Sequence, residues 1–430
     1  MLMRLALRAG SLAAKLALTV VITRTLGFSS LADYGLAVAL SVVASKLFGL
    51  GFSAELNRRL AATSPSASIR DARSLSLVYV GFYLAVCAAA VVAWREGGLA
   101  LLGASSTVTL FAMIVVAIAE HHAFEVNSYV FSLHRANAGT WMLFARTGLW
   151  PMLAIAGLLM GVIHGVGTVL LIWVAANIAV IVWAWWLIAK ERQRHASNEV
   201  DERSERGTLW GMWKEGCAFY LAAAVLSCMQ YAERFIAAPF LTHDELGRYV
   251  FAWSVANAVQ TLSFATFAVT SGPALARAVS LEPTRFVALK RRAIARTLCA
   301  TALLSLVVMS AQSAIFGFAH EKSDAATLGI LLTSFVMRAI GDILWGAAVA
   351  LRAGRALASG MVFFAAIGVP LAWFLIPRFG VTGAALAHLF ASAAITVWLV
   401  WVTWRPAAML RRECPPSGGE SIGKADQHVA

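Results

Sequence analysis

Long apolar blocks separated by short polar connectors run along the whole chain. Twelve stand out: 8–28, 33–54, 75–94, 106–130, 140–161, 167–189, 212–240, 246–271, 294–317, 326–350, 356–376 and 380–404. Each is about 20 residues long, enough for a helix rising 1.5 Å per residue to cross a ~30 Å hydrocarbon core. Only helices and closed barrels satisfy every backbone group in lipid, and the blocks lack the two-residue alternation of barrel strands. The pattern predicts an all-α integral membrane protein with twelve transmembrane helices. The fourth block is the least uniform, because its second half turns polar. The longest central polar run, "KERQRHASNEVDERSERGT" from Lys190 to Thr208, divides six blocks from six. It predicts an N-terminal six-helix lobe over 1–189, a cytoplasmic linker over 190–211, a C-terminal six-helix lobe over 212–404 and a disordered tail over 405–430.

Composition agrees with this reading. The 430 residues are 60% hydrophobic and 13% charged, with mean hydropathy +0.75, whereas soluble domains carry roughly 25% charged residues. The net charge of +13 would suggest nucleic acid in a soluble protein. Here its distribution gives orientation instead. With both termini in the cytoplasm, inside segments hold 25 Lys and Arg and outside segments hold 5, a strong positive-inside bias. The N-terminal "MLMRLALRAGSLAAKLALTVVI" resembles a signal peptide, but it has no small-residue cleavage site and a second apolar block follows at once, so it reads as the first helix. Cys87, Cys217, Cys228, Cys299 and Cys414 fall in helices or on the cytoplasmic side, with no metal-site spacing and no expected disulfide.

The halves echo one another. Asp33-Tyr34-Gly35 matches Glu245-Leu246-Gly247 at an offset of 212 residues, and Gly165-Val166 matches Gly380-Val381 at 215. The first pair opens the second helix of each half, where an acid favours the helix N-terminus and a glycine permits close packing. Six helices per repeat is an even number, so the repeat axis runs along the membrane normal, and the two lobes enclose a central cavity.

"VVITRTLGFSSLADYGLAVALS", "AERFIAAPFLTHDELGRYVFAWSVANAVQ" and "IPRFGVTGAALAHLFASAAI" resemble, respectively, the opening, the seventh and eighth helices, and the final helix entry of one family. That family is the polysaccharide transporter branch of the multidrug/oligosaccharidyl-lipid/polysaccharide exporters, which includes the Wzx-type O-antigen and exopolysaccharide repeat-unit flippases. The resemblance implies a multi-pass protein of the bacterial cytoplasmic membrane that flips undecaprenyl-diphosphate-linked repeat units by alternating access. It implies a lipid-linked oligosaccharide substrate, contact with membrane lipids, polysaccharide polymerase and chain-length proteins as partners, and no cofactor. Residues 8–28 lack the proline and acid usual in the first helix of drug-extruding relatives, and the chain has room for twelve helices rather than the fourteen of the peptidoglycan-precursor flippases.

A charge at mid-bilayer costs ~2.5–3.5 kcal/mol on insertion scales and marks a cavity or a partner. The intramembrane cations are Lys15, Lys46, Arg146, Arg234 and Arg338, and the anions Glu120, Glu125, Glu233 and Asp342. Lys46, Arg234, Arg338 and Arg146 are the candidates for binding a diphosphate and glycan, with arginine suited to a bidentate contact and lysine to a point charge. Lys46 lies too far from either helix end to snorkel easily, whereas Lys15 and Arg146 are within ~10 Å of the cytoplasmic ends of their helices and are equally compatible with snorkelling. Arg338 and Asp342, four apart, read either as a structural i,i+4 pair or as a functional one. Adjacent Glu233 and Arg234 project ~100° apart, which predicts Arg234 toward the cavity and Glu233 toward a neighbouring helix.

The fourth block contains "AIAEHHAFEVNSYVF". Glu120, His121, Glu125 and, elsewhere, Asp342 are candidates for ion coupling. His121 and Glu125 share a face, a carboxylate–imidazole pair suited to proton exchange, or else they line a water-exposed vestibule. The spacing is not that of a zinc protease, and no metal site or catalytic constellation appears, so the chain reads as a carrier rather than an enzyme. Two other readings are an ion-coupled small-molecule or drug exporter of the same superfamily, and a membrane-embedded polysaccharide polymerase or ligase.

Overall fold

A computed structural model describes residues 2–61, 66–97, 102–195, 209–281, 283–321 and 324–413. Residues 196–208 of the expected linker, 414–430 of the expected tail and Cys414 lie outside these. The described residues form helices joined by turns, with no strand among them.

The apolar blocks become helices as follows. Helix α1 (Leu2–Leu47) contains the first two spans, broken at Gly27, where φ is 86° and ψ 173°. That conformation favours glycine, so the chain reverses without the four-residue loop the sequence suggested. The short α2 (Ser53–Leu60) follows, then α3 (Ser66–Arg95) and α4 (Thr107–Ser132). The fifth span is composite: α5 (Ala136–Phe144), a π-helical turn at Ala145–Leu149, and α6 (Trp150–Leu159). The sixth and seventh are α7 (Val166–His195) and α8 (Leu209–Ala237). The eighth is composite again, with α9 (His243–Ser263), a π turn at Phe264–Ala268 and α10 (Val269–Leu281). A proline follows each π turn, at Pro151 and Pro273, where the missing N–H opens the helical ladder. Then come α11 (Pro283–Ser310), the short α12 (Gln312–Phe318), α13 (Ala325–Ala350) and α14 (Gly354–Glu413). Helix α14 carries the last two spans around a break at Gly380, with φ 57°.

Among the described residues, eight helical stretches are apolar and long enough to cross a membrane. Two of them, α1 and α14, each fold back at their glycine to cross twice. With α8 and the α9–α10 unit this makes twelve spans, the expected number. The bilayer-facing surface is apolar: Leu77, Val108, Leu171, Leu303 and Val397 are all more than 60% exposed. In water such a surface would drive aggregation, and lipid is its solvent. The protein is thus a multi-pass membrane protein built as two helical lobes.

The lobes meet where α1 packs on α9 and α8. The two repeat glycines make this seam. Gly35 lies against the Val250 side chain, and Gly247 lies against the Phe28 carbonyl oxygen. Phe28 and Phe251 add an edge-to-face contact at 6.3 Å. The equivalent acids behave differently. Glu245 completes a capping box with Thr242 at the start of α9, as its position suggested. Asp33 lies in α1 six residues past its break at Gly27 and accepts hydrogen bonds from the backbone N–H and hydroxyl of Ser105, so it ties α1 to the connector before α4 rather than capping a helix. At the opposite end of the seam, the Tyr220 hydroxyl of α8 donates to the Leu47 carbonyl at 2.8 Å, and Gly216 lies against the Gly51 carbonyl.

Candidate functional site

A central cavity of about 250 Å3 opens between the lobes. The first lobe lines it with parts of α1, Glu120 of α4, Trp150 of α6 and Trp173 of α7, and the second lobe with Tyr231 and Arg234 of α8 and one face of α9. Besides aliphatic side chains such as Leu16, Val38 and Val250, three kinds of group face it. Hydroxyls and an amide come from Thr19, Ser41, Ser45, Ser254, Asn257 and Thr261. Aromatic rings come from Tyr34, Trp150, Trp173, Tyr231 and Trp253, with Trp150 and Trp173 stacked at 4.8 Å and 7°. The charges are Lys15, Arg234 and Glu120.

Arg234 lies at the end of the cavity nearest the Gly35–Val250 seam. Its side chain is 1% exposed. Nη1 donates to the Gly35 carbonyl across the lobes at 2.8 Å. The guanidinium lies 3.9 Å from the centre of the Trp253 ring and 5.2 Å from that of Tyr231, a cation–π pocket. Nε and Nη2 have no hydrogen-bond partner among the described residues. Glu233 turns the other way and accepts from the Tyr249 hydroxyl at 3.2 Å. The adjacent pair thus diverges as helical geometry requires, with the arginine on the cavity and the acid on a neighbouring helix.

Glu120 is the cavity's acid, and it is already engaged. Arg146 Nη1 donates to it at 2.7 Å and Trp173 Nε1 at 3.0 Å. Arg146 and Lys46 both lie over the Phe124 ring, at 5.3 and 5.0 Å. Neither is among the cavity-lining residues. Lys15, which the sequence left as readily a snorkelling residue, lines the cavity instead, and the described residues offer its ammonium no ion pair or hydrogen bond. Its cytoplasmic-end position gave no signal to separate these alternatives.

His121 and Glu125 come together, with Nε2 and Oε1 3.8 Å apart. The Tyr83 hydroxyl meets His121 Nδ1 at 2.5 Å, and Ser53 donates to Glu125 Oε1 at 2.6 Å. Both side chains are buried, 0% and 2% exposed. The vestibule alternative therefore does not hold: Phe48 and the tyrosines of α3 cover the pair. His122 is bound separately, accepting from Trp185 Nε1 at 3.4 Å.

Arg338 and Asp342 do not pair with each other, correcting the i,i+4 expectation. Arg338 Nη1 bonds His388 Nε2 at 3.1 Å, and Gln260 Nε2 donates to Asp342 Oδ2 at 2.6 Å. Partners on packed neighbouring helices outcompete the local one. Arginine only donates, so His388 Nε2 accepts and its Nδ1–H donates to Ser334 at 2.6 Å, which leaves the serine hydroxyl to donate to Ser392 at 2.7 Å. The network fixes one tautomer. His388 is a lone histidine in an apolar run, and the sequence offered no reason to single it out.

No family profile matches the chain, and neither does any curated protein sequence. Solved structures do. An inward-facing multidrug resistance MATE family transporter of the MOP superfamily superposes with a TM-score of 0.71 at 15% identity, over 95% of this chain and 98% of that one. The lipid II flippase MurJ, in an inward closed conformation, gives 0.67 at 14% identity, over 95% and 92%. An outward-facing multidrug resistance MATE transporter gives 0.63 at 15% identity, over 95% and 96%. The chain has the fold these membrane transporters share.

Proposed function

We propose that this protein flips a lipid-linked oligosaccharide, an undecaprenyl diphosphate carrying a glycan repeat unit, across the bacterial cytoplasmic membrane for surface polysaccharide assembly, handing it to polymerase and chain-length proteins. One observation carries the reading. The cavity between the lobes faces its contents with a cation from each lobe, Lys15 and Arg234, while its acid, Glu120, is held by Arg146 and Trp173. That balance suits a diphosphate, with arginine supplying a planar fork and lysine a point charge. The hydroxyls and rings around it suit a sugar, whose polar edge hydrogen-bonds while its C–H face stacks. The prenyl chain stays in the bilayer. Alternating access follows from two lobes rocking about the α1–α9 seam. In this reading the buried His121–Glu125 pair is the ion-coupling element, Arg146 is spent on neutralising Glu120, and Lys46 adds positive potential behind the cavity wall.

A second reading, a small-molecule exporter, is favoured by the aromatic lining and by the likeness to the MATE transporters. Deleting the gene in its native host separates the two. Under the flippase reading, lipid-linked repeat units build up on the inner leaflet and surface polymer is lost. Unchanged polymer with raised drug sensitivity sinks that reading and supports the exporter.

A further inference from the structure

We propose that Arg234 is the latch of the outer gate as well as a ligand for the substrate, so that binding the anion is what releases the gate. The inference rests on the flippase reading and deepens it.

The outer end of the cavity is closed where the lobes meet, at the α1–α9 seam and beside it where Gly103 lies against Ala238. Gly35 and Gly247 bring α1 and α9 into contact there, and the polar bond spanning the lobes is Arg234 Nη1 to the Gly35 carbonyl at 2.8 Å. Arg234 is almost fully buried, yet two of its nitrogens, Nε and Nη2, have no hydrogen-bond partner among the described residues. A buried guanidinium bonded to a single carbonyl is undersatisfied, because a backbone oxygen does not neutralise it. The residue also lines the cavity. A phosphate entering beside Trp253 meets a planar donor set with vacant positions and offers charge-assisted, bidentate bonds that the Gly35 carbonyl cannot match. Turning the fork onto the phosphate removes Nη1 from Gly35. The seam then keeps no hydrogen bond from Arg234 across the lobes, only packing such as Gly35 on Val250 and the looser cation–π contact of Arg248 with Phe28 at 5.8 Å. Opening to the outside is thereby coupled to having an anion in the cavity, and an empty carrier stays latched.

Two features separate this device from simple packing. First, the donor and acceptor belong to different lobes, so the bond reports on gate closure rather than on the fold of either lobe. Second, the charge is needed for release but not for latching. A neutral donor at 234 can hold the carbonyl, but it has no charge to bring to the phosphate. Losing a hydrogen bond of a charged group changes an equilibrium by roughly 10- to 100-fold, which sets the size of the expected shift in the closed-to-open ratio.

The test uses the full chain in nanodiscs, with native cysteines replaced by serine and spin labels on the exposed outer residues Glu96 and Asp244. Inter-label distance distributions are recorded with and without undecaprenyl diphosphate, and binding is followed by quenching of tryptophan fluorescence. In the parent, ligand moves the population toward longer distances. Arg234→Ala starts from a longer-distance population and does not respond. Arg234→Gln starts closed and does not respond. Arg234→Lys responds in part. If Arg234→Ala does not fold, the glutamine and lysine variants still decide. Ligand that binds the parent without changing the distances, or a glutamine variant that opens like the parent, overturns the latch while leaving the flippase reading standing. A parent that binds no diphosphate overturns both.

Discussion

Gly247 of α9 lies against the carbonyl oxygen of Phe28, with no room for a side chain between the lobes at that point. The neighbour is backbone and cannot swing aside. At Gly35 the obstacle is the two methyls of Val250, which can be trimmed. Gly247→Ala therefore forces the lobes apart at the outer seam. Overpacking of this kind costs about 1–3 kcal/mol, a factor of roughly 5 to 150 in the closed-to-open ratio. A cysteine at the cavity position Ser41 then reacts with an impermeant maleimide from outside in Gly247→Ala but not in the parent. Gly35→Ala has the same sign, and Val250→Ala added to it restores protection. Equal labelling of parent and Gly247→Ala counts against the seam as the outer gate.

The Arg146–Glu120 pair makes a different prediction. It is largely buried, with side chains 8% and 15% exposed. Removing one partner strands the other charge, at a cost of about 3–5 kcal/mol, whereas replacing both by apolar residues is close to neutral. Arg146→Met and Glu120→Leu alone each lower the melting temperature of the purified protein by several degrees, and the double variant recovers most of the loss. A double variant as unstable as either single one rules out mutual neutralisation as their role.

Lys15 carries the complementary prediction. It has no ion-pair partner among the described residues, so Lys15→Ala takes little from the fold. If the ammonium meets a phosphate, its loss removes a charge-assisted bond of about 1.5–3 kcal/mol. Flipping of a fluorescent lipid diphosphate in proteoliposomes falls ~10-fold or more, while the melting temperature is unchanged. Lys15→Arg retains part of the activity. Full activity in Lys15→Ala removes it from the binding site.

What was legible in the sequence, and what was not, follows from how far each interaction reaches along the chain. Hydropathy is local, and the twelve spans were readable because the bilayer imposes one length on all of them. The reversal at Gly27 was not, because a single glycine in a left-handed conformation replaces a loop without changing the polarity pattern. The divergence of Glu233 and Arg234 was readable, since a helix fixes the angle between neighbours. The partners of Arg338 and Asp342 were not. Helix geometry permits them to meet, but His388 and Gln260 arrive from helices 50 and 82 residues away in sequence. Lys15 escaped for a related reason: snorkelling and cavity lining predict the same position on the first helix.

Those long-range partners lead to a last prediction, about Arg338. It carries the charge expected of a diphosphate ligand, but the structure engages it in a chain running through His388 to Ser334 and Ser392, behind the cavity-lining Trp253, whose ring meets that of His388 at 6.2 Å. Each member depends on the next, because arginine can only donate, and removing His388 leaves a buried guanidinium without its acceptor. His388→Ala and Arg338→Ala are both expected to destabilise the second lobe. Losing a buried polar partner costs about 1–3 kcal/mol, and more where the stranded group is charged. The Arg338→Ala/His388→Ala double variant should cost less than the sum of the two singles, as members of one network do. Undecaprenyl diphosphate affinity in folded Arg338→Ala stays within about twofold of the parent, whereas folded Arg234→Ala loses at least tenfold, the difference between a positioning network and a charge-assisted contact. Measuring both affinities by tryptophan quenching decides the matter. A loss in Arg338→Ala as large as in Arg234→Ala, at unchanged melting temperature, would show that Arg338 leaves His388 and reaches the substrate in another state of the transport cycle.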